Sequence, residues 1–172
     1  ARVVVAELLD AGVTDVVLAP GSRSAPLALA LAAVERRGEI TLHVRIDERS
    51  AGFLALGMAR IQGRPVPVVC TSGTAVANLA PAVVEATYAG VALIAITADR
   101  PPALRNTGAN QTIDQVGFFS TKVRCAVDIA LGSEFPVDPL RWRAQVRRFI
   151  VAAAGHDGDH GQSPCAVQLN FC

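Results

Sequence analysis

Aromatic side chains are scarce in this chain: one Trp, one Tyr and six Phe among 172 residues. A core must then be built from Ala, Val and Leu, which suits a buried parallel sheet clad in helices better than a coiled coil or a disordered tail. Excess charge is missing as well. Sixteen basic and fifteen acidic residues leave a formal net charge of +1, so nothing marks a nucleic-acid footprint. The one basic cluster, Arg141, Arg143, Arg147 and Arg148, reads as a solvated helix face rather than a phosphate patch. No apolar run reaches the roughly 18 to 20 residues that span a bilayer. The start carries no basic segment, apolar stretch and small-residue site in the order of a signal peptide. Cys70, Cys125, Cys165 and Cys172 lie far apart without a Cys-x-x-Cys pair, so they are expected to be small buried hydrophobes. The expected compartment is the cytoplasm, with no membrane partner.

Several catalytic signatures are also missing. There is no Gly-x-Ser-x-Gly elbow, no Gly-x-Gly-x-x-Gly and no Cys-His pairing in context, which argues against a serine hydrolase or a simple dinucleotide dehydrogenase. His156 and His160 are four apart, but Gly155, Gly158 and Gly161 oppose a helix there, so no metal site is expected. His43 alternates with apolar residues and is expected to pack rather than ligate.

What is present is alternation. Apolar runs of strand length at 15–19, 41–46, 65–70, 91–97, 122–129 and 166–171 take turns with segments of helical period. The helical segments fall near the start, at 25–37, 50–62, 75–89 and 140–153, with a short one near 113–119. This predicts an α/β fold: a doubly wound, mainly parallel sheet of about six strands with helices on both faces, forming one domain over 1–172. The chain opens without Met on a helical pattern and stops on a strand-like run, so a longer parent chain is expected.

Polar clusters follow four of the strands, where doubly wound sheets gather their ligands. Asp47-Glu48-Arg49 sits between an apolar strand and an apolar helix. Glu48 is expected to be shielded from water there, a setting in which a carboxyl holds its proton more readily. Gly21-Ser22-Arg23-Ser24 offers hydroxyls and a guanidinium at a helix start, either to grip an anion or simply to cap the helix. Thr71-Ser72-Gly73-Thr74 is either a loop that admits a ligand to its backbone or a plain N-cap. Neither is a P-loop, since no Lys follows the glycine. Arg100 either pairs with Asp99 at the surface or serves a site, and Asn110 and Gln111 are either turn residues or pocket donors and acceptors.

Taken in order, Ala19-Pro-Gly-Ser-Arg-Ser-Ala-Pro-Leu27, Val44-Arg-Ile-Asp-Glu-Arg-Ser-Ala-Gly52, Thr71-Ser-Gly-Thr-Ala-Val-Ala-Asn-Leu79, Ala98-Asp-Arg-Pro-Pro102 and Gly108-Ala-Asn-Gln-Thr112 carry a resemblance. The chain resembles the amino-terminal, pyrimidine-binding domain of thiamine diphosphate enzymes. Within them it is most similar to the 2-succinyl-5-enolpyruvyl-6-hydroxy-3-cyclohexene-1-carboxylate synthases of menaquinone biosynthesis. The resemblance implies a transferase that decarboxylates 2-oxoglutarate and adds the resulting succinyl unit to isochorismate. It implies Glu48 as the catalytic carboxyl at N1′ of the cofactor ring. Thr71, Ser72, Gly73, Thr74, Asn78 and Gln111 are implied at the cofactor, and Ser22, Arg23, Arg100, Asn110 and Gln111 at the substrates.

The cofactor implied is thiamine diphosphate with Mg2+ or Mn2+, in a homodimer or dimer of dimers. The family's Gly-Asp-Gly…Asn metal-binding segment does not occur here, and Asp157-Gly158-Asp159 does not match it. The central and diphosphate-binding domains are therefore expected to lie outside this chain, which alone should be inactive and hold no metal. Two alternatives keep the same fold: a related decarboxylase or acetohydroxyacid-synthase-like enzyme with another acceptor, and a non-catalytic module that binds an anion or assembles with partners.

Overall fold

The structure, a computed structural model, describes residues 1–129, 138–155 and 162–172. One sheet contains β1 (Asp15–Leu18), β2 (Thr41–Val44), β3 (Val66–Cys70), β4 (Leu93–Ala98), β5 (Ala126–Ile129) and β6 (Val167–Phe171). The spatial order is β2-β1-β3-β4-β6-β5, and every neighbouring pair runs parallel. Parallel neighbours need long crossovers, and α-helices lie in all those between consecutive strands except the one from β4 to β5. The α-helices are α1 (Arg2–Asp10), which precedes β1, α2 (Ala25–Glu35), α3 (Glu48–Gln62), α4 (Thr74–Asn78), α5 (Ala80–Tyr88) and α6 (Pro139–Ala154).

The strand pleat explains both faces. Val17, Val68, Cys70 and Ala95 point to the layer of α3, α4 and α5, while Val16, Leu18, Val69, Ile94 and Ile96 point to that of α1, α2 and α6. β3 and β4 are buried along their whole length, as the continuous apolar runs require. The predicted doubly wound sheet is what forms.

Boundaries differ from expectation where backbone chemistry intervenes. The second strand ends at Val44 rather than Ile46, after Arg45 N–H makes the last bond to Leu18 O at 2.9 Å. The third helix begins at Glu48 rather than Ser50, because Asp47 Oδ1 accepts from Ser50 N–H at 2.7 Å and caps it. The helix expected over 75–89 is two helices. Pro81 has no N–H to continue the first, so α4 stops at Asn78 and α5 starts afresh with Pro81 in its first turn. No helix forms near 113–119. Turns occupy 116–119, with positive φ at Gln111, Gly117 and Ser120. The last two strands flanking α6 start later than expected on one side, with β5 beginning at Ala126.

The arginine cluster on α6 is not wholly solvated. Glu7 of α1 has no exposed side-chain surface, and both Arg143 and Arg147 donate to it, the latter at 3.0 Å. An otherwise unpaired buried carboxylate is thereby offset. Arg143 also reaches Asp10 at 3.0 Å. His43 does not pack alone: its Nε2 lies 2.9 Å from Asp15 Oδ1, tying β2 to β1. Cys70 and Cys165 are buried as expected, Cys125 and Cys172 only partly. His156, His160 and most of their loop fall outside the described residues. Among the described residues no helix is long and apolar enough to cross a membrane.

Candidate functional site at the carboxyl edge of the sheet

Four of the clusters singled out in the sequence lie just beyond a strand's carboxyl end, the fifth, 108–112, lies in the irregular stretch after β4, and contacts join them in pairs. The loop after β1 approaches the loop after β3 so closely that a methyl on Gly21 would stand 2.6 Å from Thr71 Cγ2 and 2.8 Å from Thr71 Oγ1. Only glycine allows that approach. Neither serine caps α2 by its side chain. Ser24, fully buried, donates its hydroxyl to Gly21 O at 3.1 Å, while Ser22 and Arg23 remain exposed. These two line a cavity of about 370 Å³ together with Asp99, Pro101, Trp142 and Phe171.

Glu48 is the first residue of α3, and its Oε2 accepts from Asn78 Nδ2 at 3.1 Å. Asn78 is the last residue of α4, so this bond joins two helix ends. Its Oε1 has no hydrogen bond among the described residues. The carboxyl is only half-buried, not sealed as expected, because α3 starts beside the edge strand β2. Nearby Cys70 is fully buried, and burial, with Glu48's charge second, pushes its thiol far up, which leaves it inert.

The loop after β3 is held from outside. Ser72 Oγ donates to Gln111 O, and Gln111 Nε2 donates back to Ser72 O, both at 2.9 Å. Gly73 N–H donates to Gln115 Oε1 at 3.2 Å. Gly73 has φ of 79°, and a Cβ there would lie 2.9 Å from Gln111 Cγ. The plain N-cap alternative is answered: Gly73 holds the cap position and no side chain caps α4. Thr71 and Ser72 are buried, and Thr74, Asn78, Asn110 and Gln111 are exposed.

Asp99 and Arg100 do not form a surface ion pair. Asp99 is 1% exposed, and its salt-bridge partner is Arg105 at 2.9 Å. Its other oxygen accepts Arg100's backbone N–H at 2.7 Å. The Arg100 side chain instead donates through Nη2 to Asn110 O at 2.8 Å, and its buried Nε has no partner. Behind these lies a polar network the sequence reading missed: Arg105, Asp128, Gln115, Gln168, Asn170 and Thr97. Its signal was available in Gln168 and Asn170, two amides interrupting the apolar run of β6. A buried amide in a strand needs a partner: Gln168 Nε2 donates to Thr97 Oγ1 at 3.2 Å, and Asn170 bonds Thr97, Gln115, Asp99 and Asp128.

The edge thus presents a carboxyl with one oxygen free of hydrogen bonds among the described residues, able to bond a donor or hold a proton, and the exposed Arg23 at the neighbouring cavity.

Residues 1–118 match the family model described as thiamine pyrophosphate enzyme, N-terminal TPP binding domain. Curated relatives bearing the name 2-succinyl-5-enolpyruvyl-6-hydroxy-3-cyclohexene-1-carboxylate synthase include one from Mycobacterium avium, 58% identical over 159 residues. One from Mycobacterium leprae is 57% identical and one from Mycobacterium tuberculosis 55%. Each alignment covers 90% of this chain but only 29% of the relative, so the chain spans under a third of their length. The chain belongs to the N-terminal TPP-binding domain family of thiamine pyrophosphate enzymes.

Proposed function

We propose that this chain is the pyrimidine-binding domain of a thiamine diphosphate-dependent transferase of menaquinone biosynthesis. The parent protein decarboxylates 2-oxoglutarate and joins the succinyl unit to isochorismate. The observation that carries this is Glu48 at the head of α3, anchored through Oε2 by Asn78 and with Oε1 available. The relatives' shared name supports the reaction.

The residues present fit the ring end of the cofactor. Glu48 holds a proton at ring nitrogen N1′, and Asn78 keeps that carboxyl oriented. The Thr71–Thr74 loop, latched by the Gln111 side chain, would form the wall against the ring. When bound, thiamine diphosphate supplies the electron sink for decarboxylating a 2-oxo acid. Both substrates are carboxylates, and Arg23, Arg100 and Ser22 stand at the same edge to bind them, with Asn110 held beside Arg100.

Mg2+ or Mn2+ and the diphosphate belong to a separate domain beyond this chain, contributed by the partner subunit of a homodimer in the cytoplasm. Calorimetry of the complete protein with thiamine diphosphate and Mg2+ tests the reading, and absence of binding refutes it. Glu48→Gln should slow proton exchange at the cofactor's C2 by at least about a hundredfold, in the range of lost acid–base catalysis. An unchanged rate removes Glu48 from the mechanism.

A further inference from the structure

Gln115 is 1% exposed although it sits in an irregular segment with no helix or strand to bury it. Its carboxamide makes three bonds to three different parts of the fold. Oε1 accepts from Gly73 N–H at 3.2 Å, while Nε2 donates to Ala98 O at 2.8 Å and Asn170 Oδ1 at 2.7 Å. Only an amide of this length offers an acceptor and two donors at once.

Each end of this bridge is consequential. Asn170 is immobilised: its Oδ1 also accepts from Thr97 Oγ1, and its Nδ2 donates to Asp99 Oδ2 and Asp128 Oδ1. Arg105 in turn clamps both carboxylates. Gly73 begins α4 without a side-chain cap, and α4 is only five residues long, ending at the Asn78 that holds Glu48. So short a helix has little stability of its own. Its register against the sheet is set by what grips its start.

We propose that Gln115 is a positioning residue: it fixes the Gly73 loop and α4 to the ends of β4 and β6, and through Asn78 aligns Glu48 with the cofactor ring. This rests on the thiamine diphosphate reading above. Gln115 touches no ligand itself. The Ser72–Gln111 pair is a second latch on the same loop, but among the described residues only the Gln115 bridge carries hydrogen bonds from it to the ends of β4 and β6.

The test uses the complete protein with Gln115→Met, which keeps size but takes this partner from Gly73 N–H and Ala98 O and leaves Asn170 Oδ1 with Thr97 Oγ1 alone. Glu7→Gln, in the α1–α6 contact, serves as the control for general destabilisation. Without cofactor, hydrogen–deuterium exchange of the peptide covering 71–78 should rise about tenfold in Gln115→Met and not in the control. With saturating thiamine diphosphate, C2 proton exchange should slow by a similar factor only in Gln115→Met. If that variant does not fold, Gln115→Asn, which keeps the amide but cannot span Gly73 and Asn170 together, is measured identically. Unchanged protection of 71–78 overturns the proposal, as does loosened protection with wild-type C2 exchange. If the wild type binds no thiamine diphosphate, the function and this role fall together; if it binds and the variants match it, only this role fails.

Discussion

Replacing Arg105 by Met is the most informative perturbation of the fold, because it separates charge balance from packing. Arg105 donates to Asp128 Oδ2 at 2.8 Å, Asp128 Oδ1 at 3.0 Å and Asp99 Oδ2 at 2.9 Å. Its side chain is 22% exposed, against 1% for Asp99 and 21% for Asp128. Two carboxylates already face one guanidinium, so its removal leaves two negative charges sharing the Asn170 amide. Breaking a buried pair from one side costs about 3 to 5 kcal/mol, and the partial exposure here places this at about 3. Asp99→Asn should cost less, about 1 kcal/mol, since it leaves the neutral Arg105–Asp128 pair intact. Native-state hydrogen exchange of the β4 and β6 amides in the complete protein reads both. At 1.4 kcal/mol per tenfold, protection should fall about a hundredfold for Arg105→Met. If Asp99→Asn proves the more damaging, charge balance is not what stabilises this network and the reasoning fails.

Two further perturbations address the sheet and its edge. Gly21→Ala forces a methyl into Thr71, so the loops after β1 and β3 must part, with a cost of about 1 to 3 kcal/mol; in a Thr71→Gly background, where all three side-chain atoms in the way are gone, adding Gly21→Ala should cost little, and a fully stable single variant contradicts the contact. Burial pushes the Asp15 carboxyl up, but hydrogen bonds with His43, Thr14 and Gln62 outweigh it and hold it below its usual range. A lowered carboxyl stabilises at pH above the unfolded value and loses that contribution as acid protonates the folded state. Wild type should therefore exceed Asp15→Asn in Tm near neutrality, with the gap closing below about pH 4; a gap that persists in acid shows that shape, not charge, is lost.

Much of the architecture was legible because the strong signals are local. Continuous apolar runs such as Val66–Cys70 can only be two-face-buried strands when helical segments separate them, and that fixed the sheet's parallel sense. Errors cluster where a single backbone group decides. Pro81 withholds one N–H and divides a helix whose hydrophobic period is unbroken. The 113–119 segment has helical composition, yet Gln115 spends its amide on three distant partners and the backbone turns to let it.

The site divides along the same line. Glu48, Ser22, Arg23, Arg100 and the 71–74 loop stand at one edge of the sheet because each follows a strand. Asp99 misled because sequence neighbours look like ion-pair partners: Arg100 is adjacent, but its guanidinium faces Asn110 while Arg105, one 3-10 turn on, swings back. The expected sealing of Glu48 failed for a related reason, since burial is a property of what packs from outside the segment. At the head of α3, beside an edge strand, one carboxylate oxygen is satisfied by Asn78 and the other has no hydrogen bond among the described residues. A polar group left half-satisfied at the rim of a densely, though not completely, bonded network is where an incoming hydrogen-bond partner gains most, because the protein has already ordered what surrounds it. The buried amides behind the rim are thus as much a part of the site as the carboxyl in front of it.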